Sequence, residues 1–357
     1  MEILEHLKDR FTASLLGGAI GDALGYTVEF MGRIEILSQF GASGITDLVP
    51  DRRTGKALVS DDTQMTLFTA DGLIWAAHRG RGRHRDTTRN AHPYSSGLYP
   101  AYMRWYYTQQ GKLSSKREEV WLERQPHEED FSLLDQKELF ARRAPGNTCL
   151  TTLGGGTMGT IEQPLNKSKG CGGVMRVAPV GLFFHDDATR AFQVGAEAAA
   201  ITHGHPTGYL TAGAFAAIIA ELISGKELSE GVETALWLLR DYRQHEETSC
   251  ALERAVGYAR STERAEEVIP ELGEGWVAEE ALAIAVYCAM KRRDFRASVT
   301  LAVNHSGDSD STGAICGNLL GAYGGMEVIP ADWAEIIELR NITETMAARL
   351  AETAARL

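Results

Sequence analysis

Leu16-Gly17-Gly18-Ala19-Ile20-Gly21-Asp22-Ala23-Leu24-Gly25 is the stretch on which the fold turns. It closes a longer run, residues 3–25, in which Leu7, Phe11, Ser14, Leu15, Gly18 and Ala19 fall on one face at helical spacing. The periodicity predicts a helix. Glycine costs roughly 1 kcal/mol against alanine inside a helix. Its repeated use here points to close backbone approach, either by another helix or by a ligand, and the residues alone leave both open.

Outward from this run the pattern stays helical. Residues 63–78 carry Met65, Phe68, Gly72, Trp75 and Ala76 on one stripe, with Ser60 or Asp61 as candidate N-cap. Val232, Ala235, Leu236 and Leu239 recur at i, i+3, i+4 and i+7, as do Leu282, Ala285, Val286 and Ala289. Tyr209 to Ile223 is apolar on nearly every face, which predicts a central buried helix. Residues 31–59 read as irregular, and from residue 147 onward the chain reads as helical almost throughout. Residues 79–146 differ. A basic run, Arg79 to Arg89, is followed by Tyr99, Tyr102, Trp105, Tyr106 and Tyr107 and then by charged residues, read as two or three short helices with long loops. This segment is a candidate insertion or lid. Alternating β-type segments are scarce, so the expectation is an all-α, compact multi-helix bundle formed by one domain over residues 1–357.

Bulk composition narrows the function classes. The chain has 357 residues, 44% of them hydrophobic, and a net charge of −12. An acidic surface disfavours nucleic acid and anionic membranes and suits cations. The N-terminus lacks the basic and apolar regions of a signal peptide, and no apolar run reaches membrane-span length. The five cysteines (Cys149, Cys171, Cys250, Cys288 and Cys316) form no Cys-x-x-Cys pair, which argues against a disulfide framework or zinc ribbon. A cytoplasmic setting is expected.

Two acidic stretches could carry chemistry. Ser60-Asp61-Asp62-Thr63 and Gly307-Asp308-Ser309-Asp310-Ser311-Thr312-Gly313 each place two carboxylates and a hydroxyl at a helix start. Each alone reads as a cap. Together they would gather four carboxylates, a set tolerable mainly around cations. The second stretch opens like an EF-hand loop, but Leu319 stands where the closing Glu belongs, so that reading is rejected. Gly170-Cys171-Gly172-Gly173-Val174-Met175-Arg176 could offer backbone N–H groups to a diphosphate or simply allow a tight helix crossing. Thr202-His203-Gly204-His205-Pro206 reads as a helix-end turn, and Glu29 as a catalytic or surface carboxylate.

These stretches, with Pro145-Gly146-Asn147-Thr148-Cys149 between them, occur in an order that resembles the ADP-ribosylglycohydrolases from about residue 11 to residue 325. The resemblance implies a compact all-α fold whose cleft holds two divalent cations, Mg²⁺ or Mn²⁺. It places metal ligands on Ser60, Asp61 and Asp62 and on Asp308, Asp310 and Ser311. It places ligand-binding residues on Gly170, Cys171, Gly172, Gly173, Val174 and Met175 and on His203, with Asp62 and Glu29 as candidate acid or base. Cys171 stands where many members have Asn. The implied activity is hydrolysis of the N- or O-glycosidic bond between ADP-ribose and a protein side chain, arginine first, with an ADP-ribosylated protein or other ADP-ribose conjugate as partner. A non-catalytic ADP-ribose-binding or structural protein, and a dinuclear hydrolase of another conjugate or nucleotide, are the alternatives. Acceptor, choice of metal and oligomeric state are not legible in the sequence.

Overall fold

The computed structural model describes residues 2–81, 94–291 and 294–356. Most of the basic run Arg79–Arg89 lies outside the described residues. The helices are α1 (Glu2–Tyr26), α2 (Arg33–Phe40), α3 (Asp61–Arg81), α4 (Ser95–Gln110), α5 (Asn147–Gly154), α6 (Ala178–Phe183), α7 (Ala188–Ala200) and α8 (Pro206–Ile223). They continue with α9 (Leu228–Leu239), α10 (Glu246–Arg260), α11 (Ala265–Leu272), α12 (Ala278–Lys291), α13 (Phe295–Val303), α14 (Ser309–Gly324), α15 (Ala331–Ile336) and α16 (Arg340–Ala354). Among the described residues there is no sheet. Two isolated β-bridges occur, Ala57 with Ile337 and Gly170 with Val277. The fold is all-α.

The small-residue run answers its own question. α1 packs lengthwise against α14, with the chains antiparallel: Ala13 faces Gly321, Gly17 faces Gly317, Gly21 faces Gly313 and Gly25 faces Ser309. Every fourth residue of one helix meets every fourth of the other. A Cβ on Gly317 would land on the carbonyl oxygen of Gly17, and one on Gly21 on that of Gly313. The approach needs glycine, and a helix, not a ligand, fills the space. Ser14 and Asn318 lock the register, with Ser14 Oγ donating to the Asn318 carbonyl at 3.0 Å and Asn318 Nδ2 donating to the Ser14 carbonyl at 2.8 Å.

α8 lies in the middle, against α6, α7, α9, α12 and α14. It is long and apolar enough to span a membrane by length and composition, so the stretch exceeds the shorter run read from the sequence; here 89% of it is buried inside the protein. One connected apolar core extends from Leu7 to Ala351. Each buried Leu, Ile or Phe in it contributes about 1.5–3 kcal/mol relative to exposure.

Three local expectations need correction. Residues 31–59 include a helix, α2, entered from Gly32 and stopped at Gly41, whose φ of +94° no continuing helix allows. Within 79–146, the aromatics build one 16-residue helix, α4, whose Tyr102 and Trp105 are fully buried against the core, followed by four short 3₁₀ turns. Residues 155–170 are irregular rather than helical, because Gly155 and Gly156 end α5 and the chain then runs in loops to a 3₁₀ turn at Cys171–Gly173.

Candidate active site

α3 begins at Asp61, and its first amides need acceptors. Ser60 Oγ accepts the Asp62 N–H at 3.2 Å. The stronger cap comes from far away in sequence. Asp22, in the small-residue part of α1 and fully buried, accepts the Ser60 N–H at 2.9 and 3.1 Å, the Thr63 N–H at 3.1 Å and the Thr63 hydroxyl. Asp61 donates its N–H to the Arg143 carbonyl and accepts from the Gly146 N–H at 3.2 Å. Asp62 Oδ2 is buried and has no partner.

α14 starts in the same way. Gly307, at φ +131°, turns the chain so that the Asp308 N–H reaches the Glu274 carbonyl at 2.8 Å. Asp308 Oδ1 then caps the helix through the Ser311 N–H at 3.3 Å, and Asp310 Oδ1 accepts the same N–H at 2.9 Å. The packing of α1 on α14 carries both starts to one place, since Asp22 follows Gly21 and Asp310 follows Ser309. The two acidic stretches, separated by some 250 residues, border one cavity of about 200 Å³. Glu29, Asp61, Asp62, Asp308, Asp310 and Ser311 all line it, together with Gly170, Cys171, Gly172, Met175, His203 and Trp276. Ser60, Gly173 and Val174 are buried and are not among the residues that line it.

The electrostatics are those of crowded, buried carboxylates. Burial first, and then the neighbouring Asp310, pushes the Asp61, Asp62 and Asp308 carboxyls well above the ordinary range. The same two causes raise Asp22 to about 7, and burial with Asp310, Asp308 and Asp61 raises Glu29 to about 10. Glu29 Oε2, like Asp62 Oδ2, is buried without a partner. Orphaned carboxylate oxygens beside further carboxylates fit divalent cations with oxygen preference, which remove both the repulsion and the missing bonds.

A second buried acidic group, Asp71, His127 and Glu128, has ligand atoms close enough for an ion. Arg104 already fills that role. Its guanidinium donates to Asp71 Oδ2 at 2.9 Å and to Glu128 Oε1 and Ser132, while His127 Nε2 pairs with Asp71 Oδ1 at 2.8 Å. Burial raises Asp71, but Arg104 and His127 outweigh it and hold the carboxyl below its usual value. This group fastens residues 126–132 to α3. A larger cavity, about 810 Å³, lies between α2, α11 and α13 and includes none of the acidic-stretch carboxylates.

The glycine loop is less open than its sequence suggests. Gly170 donates its N–H to Ser168 Oγ and Cys171 to the Trp276 carbonyl, and those of Val174 and Met175 return to the Cys171 carbonyl. Gly172 lines the cavity, whereas Gly173 is buried and does not. A Cβ on Gly172 would stand 3.1 Å from His203 Cε1, and one on Gly173 3.0 Å from Ala199 Cβ, contacts close enough that a neighbour would have to give way slightly. His203 is fixed from behind. Fully buried Arg176 donates to the Ala198 carbonyl at 3.0 Å and to Thr202 Oγ1 at 2.7 Å, and Thr202 Oγ1 meets His203 Nδ1 at 2.8 Å. Thr202 Oγ1 thus links the Arg176 guanidinium to the Nδ1 side of the imidazole, and the Nε2 side faces the glycine loop. Burial, then Arg176, lowers His203 to about 3, so the ring is neutral. His205 instead caps α8 through the Thr207 N–H.

Two residues of this framework, Asp22 and Arg176, lie inside the quoted sequence stretches but carry no expected role. The only signal for Asp22 is a charged residue in the C-terminal part of α1, residues 11–25, which is otherwise made of small and apolar ones.

The ADP-ribosylglycohydrolase family profile matches residues 4–356. The chain belongs to the ADP-ribosylglycohydrolase family. As a family member it is an ADP-ribosylhydrolase, an enzyme acting on ADP-ribose conjugates. ADP-ribosylarginine hydrolase Tri1 of Pseudomonas putida is 22% identical over 98% of this chain and 80% of its own length. ADP-ribosyl-[dinitrogen reductase] glycohydrolase of Rhodospirillum rubrum is 24% identical over 94% of this chain and 92% of its own. A solved structure of an ADP-ribosylglycohydrolase-related protein complex superposes with a TM-score of 0.61 at 24% identity, covering 98% of this ADP-ribosylglycohydrolase and 99% of that chain; it bears on the fold.

Proposed function

We propose that this enzyme hydrolyses the bond between ADP-ribose and an arginine side chain, with two divalent cations, Mg²⁺ or Mn²⁺, held by Ser60, Asp61, Asp62, Asp308, Asp310 and Ser311. The observation that carries the reading is the convergence of both acidic stretches and the Gly170–Gly172 turn on one cavity, with Asp62 Oδ2 and Glu29 Oε2 unpartnered in its walls. When bound, the cations would supply Lewis-acid charge at the ribose and lower the pKa of a water.

The chain's own residues do the rest. The turn at Gly172 and the Nε2 edge of the His203 ring bind and orient the diphosphate side of the ligand, giving position rather than chemistry. The reaction passes through a cationic, oxocarbenium-like state at the anomeric carbon, which the surrounding carboxylates favour. Glu29 and Asp62, whose Oε2 and Oδ2 are unpartnered in the cavity wall, are the candidates to give a proton to the leaving nitrogen and to take one from the attacking water.

Arginine is favoured over serine by the cleft's edge. Phe30 is 74% exposed and Trp276 40%, and their rings stack with centroids 6.3 Å apart. Trp276 lines the cavity and Phe30 follows Glu29 directly. Aromatic faces beside carboxylates suit a guanidinium. The test is release of free ADP-ribose from ADP-ribosyl-arginine and ADP-ribosyl-serine peptides with Mg²⁺, with Mn²⁺ and with chelator. Turnover of the arginine peptide that chelator abolishes supports the proposal. Preference for serine overturns the acceptor assignment, and tight ADP-ribose binding without turnover overturns the activity.

A further inference from the structure

Cys171 brings sulfur into an otherwise oxygen-lined cavity. Its Sγ donates to Asp308 Oδ2 at 2.6 Å, and it is partly accessible from the cleft. Asp62, 3% exposed, lines the same cavity with Oδ2 unpartnered. Cys149 also borders the cavity, but its sulfur is engaged behind the loop with Arg176 at 3.5 Å and the Gly172 carbonyl at 3.9 Å. One thiol therefore stands on a carboxylate of the acidic cluster, in a cavity whose lining also includes a carboxylate that lacks a bond.

Magnesium and calcium select oxygen; thiolate selects zinc, cobalt and other thiophilic ions. We propose that Cys171 is a metal donor, so that the position beside Asp308 takes a thiophilic divalent ion bound by sulfur and carboxylate. As the metal–sulfur bond forms, the S–H bond breaks and its proton leaves to solvent, with no change of oxidation state. The inference rests on the reading that the cleft holds divalent cations, and adds which ion one position prefers.

Cobalt is the probe. Chelator-stripped full-length protein is titrated with Co²⁺ while heat and near-ultraviolet absorption are recorded together. Binding is expected with a sulfur-to-cobalt charge-transfer band that is absent in Cys171→Ser, a near-isosteric variant whose folding is checked by circular dichroism. Zn²⁺ affinity is expected to fall at least ~10-fold in that variant, the scale on which metal sites respond to loss of a supporting group, with Mg²⁺ affinity unchanged. Calorimetric Co²⁺ binding by the wild type without the band overturns the inference and leaves the cation reading standing. A band that persists in Cys171→Ser belongs to another cysteine and overturns it too. No Co²⁺ binding at all overturns both.

Discussion

The carboxylate of Asp22 holds the backbone amide of Ser60, at 2.9 Å to one oxygen and 3.1 Å to the other. This bond ties α1 to the first acidic stretch, while the glycine face of the same helix is pressed onto α14 beside the second. α1 is thus the bracket that brings the two stretches together. Replacing Asp22 by Ala leaves the buried Ser60 and Thr63 donors unsatisfied and removes the cap of α3. The expected cost is about 2–3 kcal/mol in chemical denaturation, with activity reduced even where the protein is folded.

The α1–α14 contact gives a sharper test of the same idea. Gly317→Ala puts a methyl group into the Gly17 carbonyl, so the helices must separate. A loss of about 1–3 kcal/mol is expected, accompanied by weaker Mn²⁺ binding in calorimetry, although residue 317 is two helical turns from Asp310. Unchanged stability would mean the two helices are not held at this distance.

Metal removal is expected to make stability fall as pH rises. Asp22 titrates at about 7 in the folded chain against an ordinary 3.8, and Glu29 at about 10 against 4.5. Between each pair of values the folded protein binds more protons than the unfolded one, so stability decreases with pH across that window. Chelator-treated protein should therefore lose Tm steadily from about pH 4 to pH 7 and beyond. Added Mg²⁺ or Mn²⁺ should raise Tm more at pH 7.5 than at pH 5. A Tm of stripped protein that rises over this range would contradict the clustering of buried carboxylates.

Thr202→Val keeps the shape of the residue between Arg176 and His203 and removes its hydroxyl. Arg176 then loses one acceptor and His203 its Nδ1 partner. About 1–2 kcal/mol of stability should be lost, and ADP-ribose should bind about tenfold more weakly by calorimetry, with KM affected more than kcat. Unaltered ADP-ribose affinity would remove His203 from the binding surface.

Much of this was legible in the sequence, for identifiable reasons. Long helices such as α3, α8 and α12 announce themselves through apolar residues at helical spacing or, in α8, on nearly every face. The repeated glycines of α1 announce close approach but not its partner, since nothing local in residues 17–25 points to residues 309–321. α4 was obscured because its core face is built from Tyr102 and Trp105 rather than aliphatics, and Pro100 interrupts its pattern. At the site, the acidic stretches are visible as residue types, whereas Asp22 and Arg176 act through backbone amides and a neighbouring hydroxyl, which leave no spacing to read. The Gly170 and Cys171 amides looked available only because their acceptors, Ser168 and the carbonyl of Trp276, are set by the folded chain.

In the proposed reaction both acidic stretches work as one centre in removing ADP-ribose from arginine. The most direct measurement is the rate of ADP-ribose release from an ADP-ribosyl-arginine peptide by wild type, Asp61→Asn and Asp310→Asn, at saturating Mg²⁺ and Mn²⁺, with melting curves run in parallel. Each substitution removes one charge from a different stretch. The expected result is loss of at least about 100-fold in turnover in both variants, with folding intact. Near-wild-type turnover in both would contradict it.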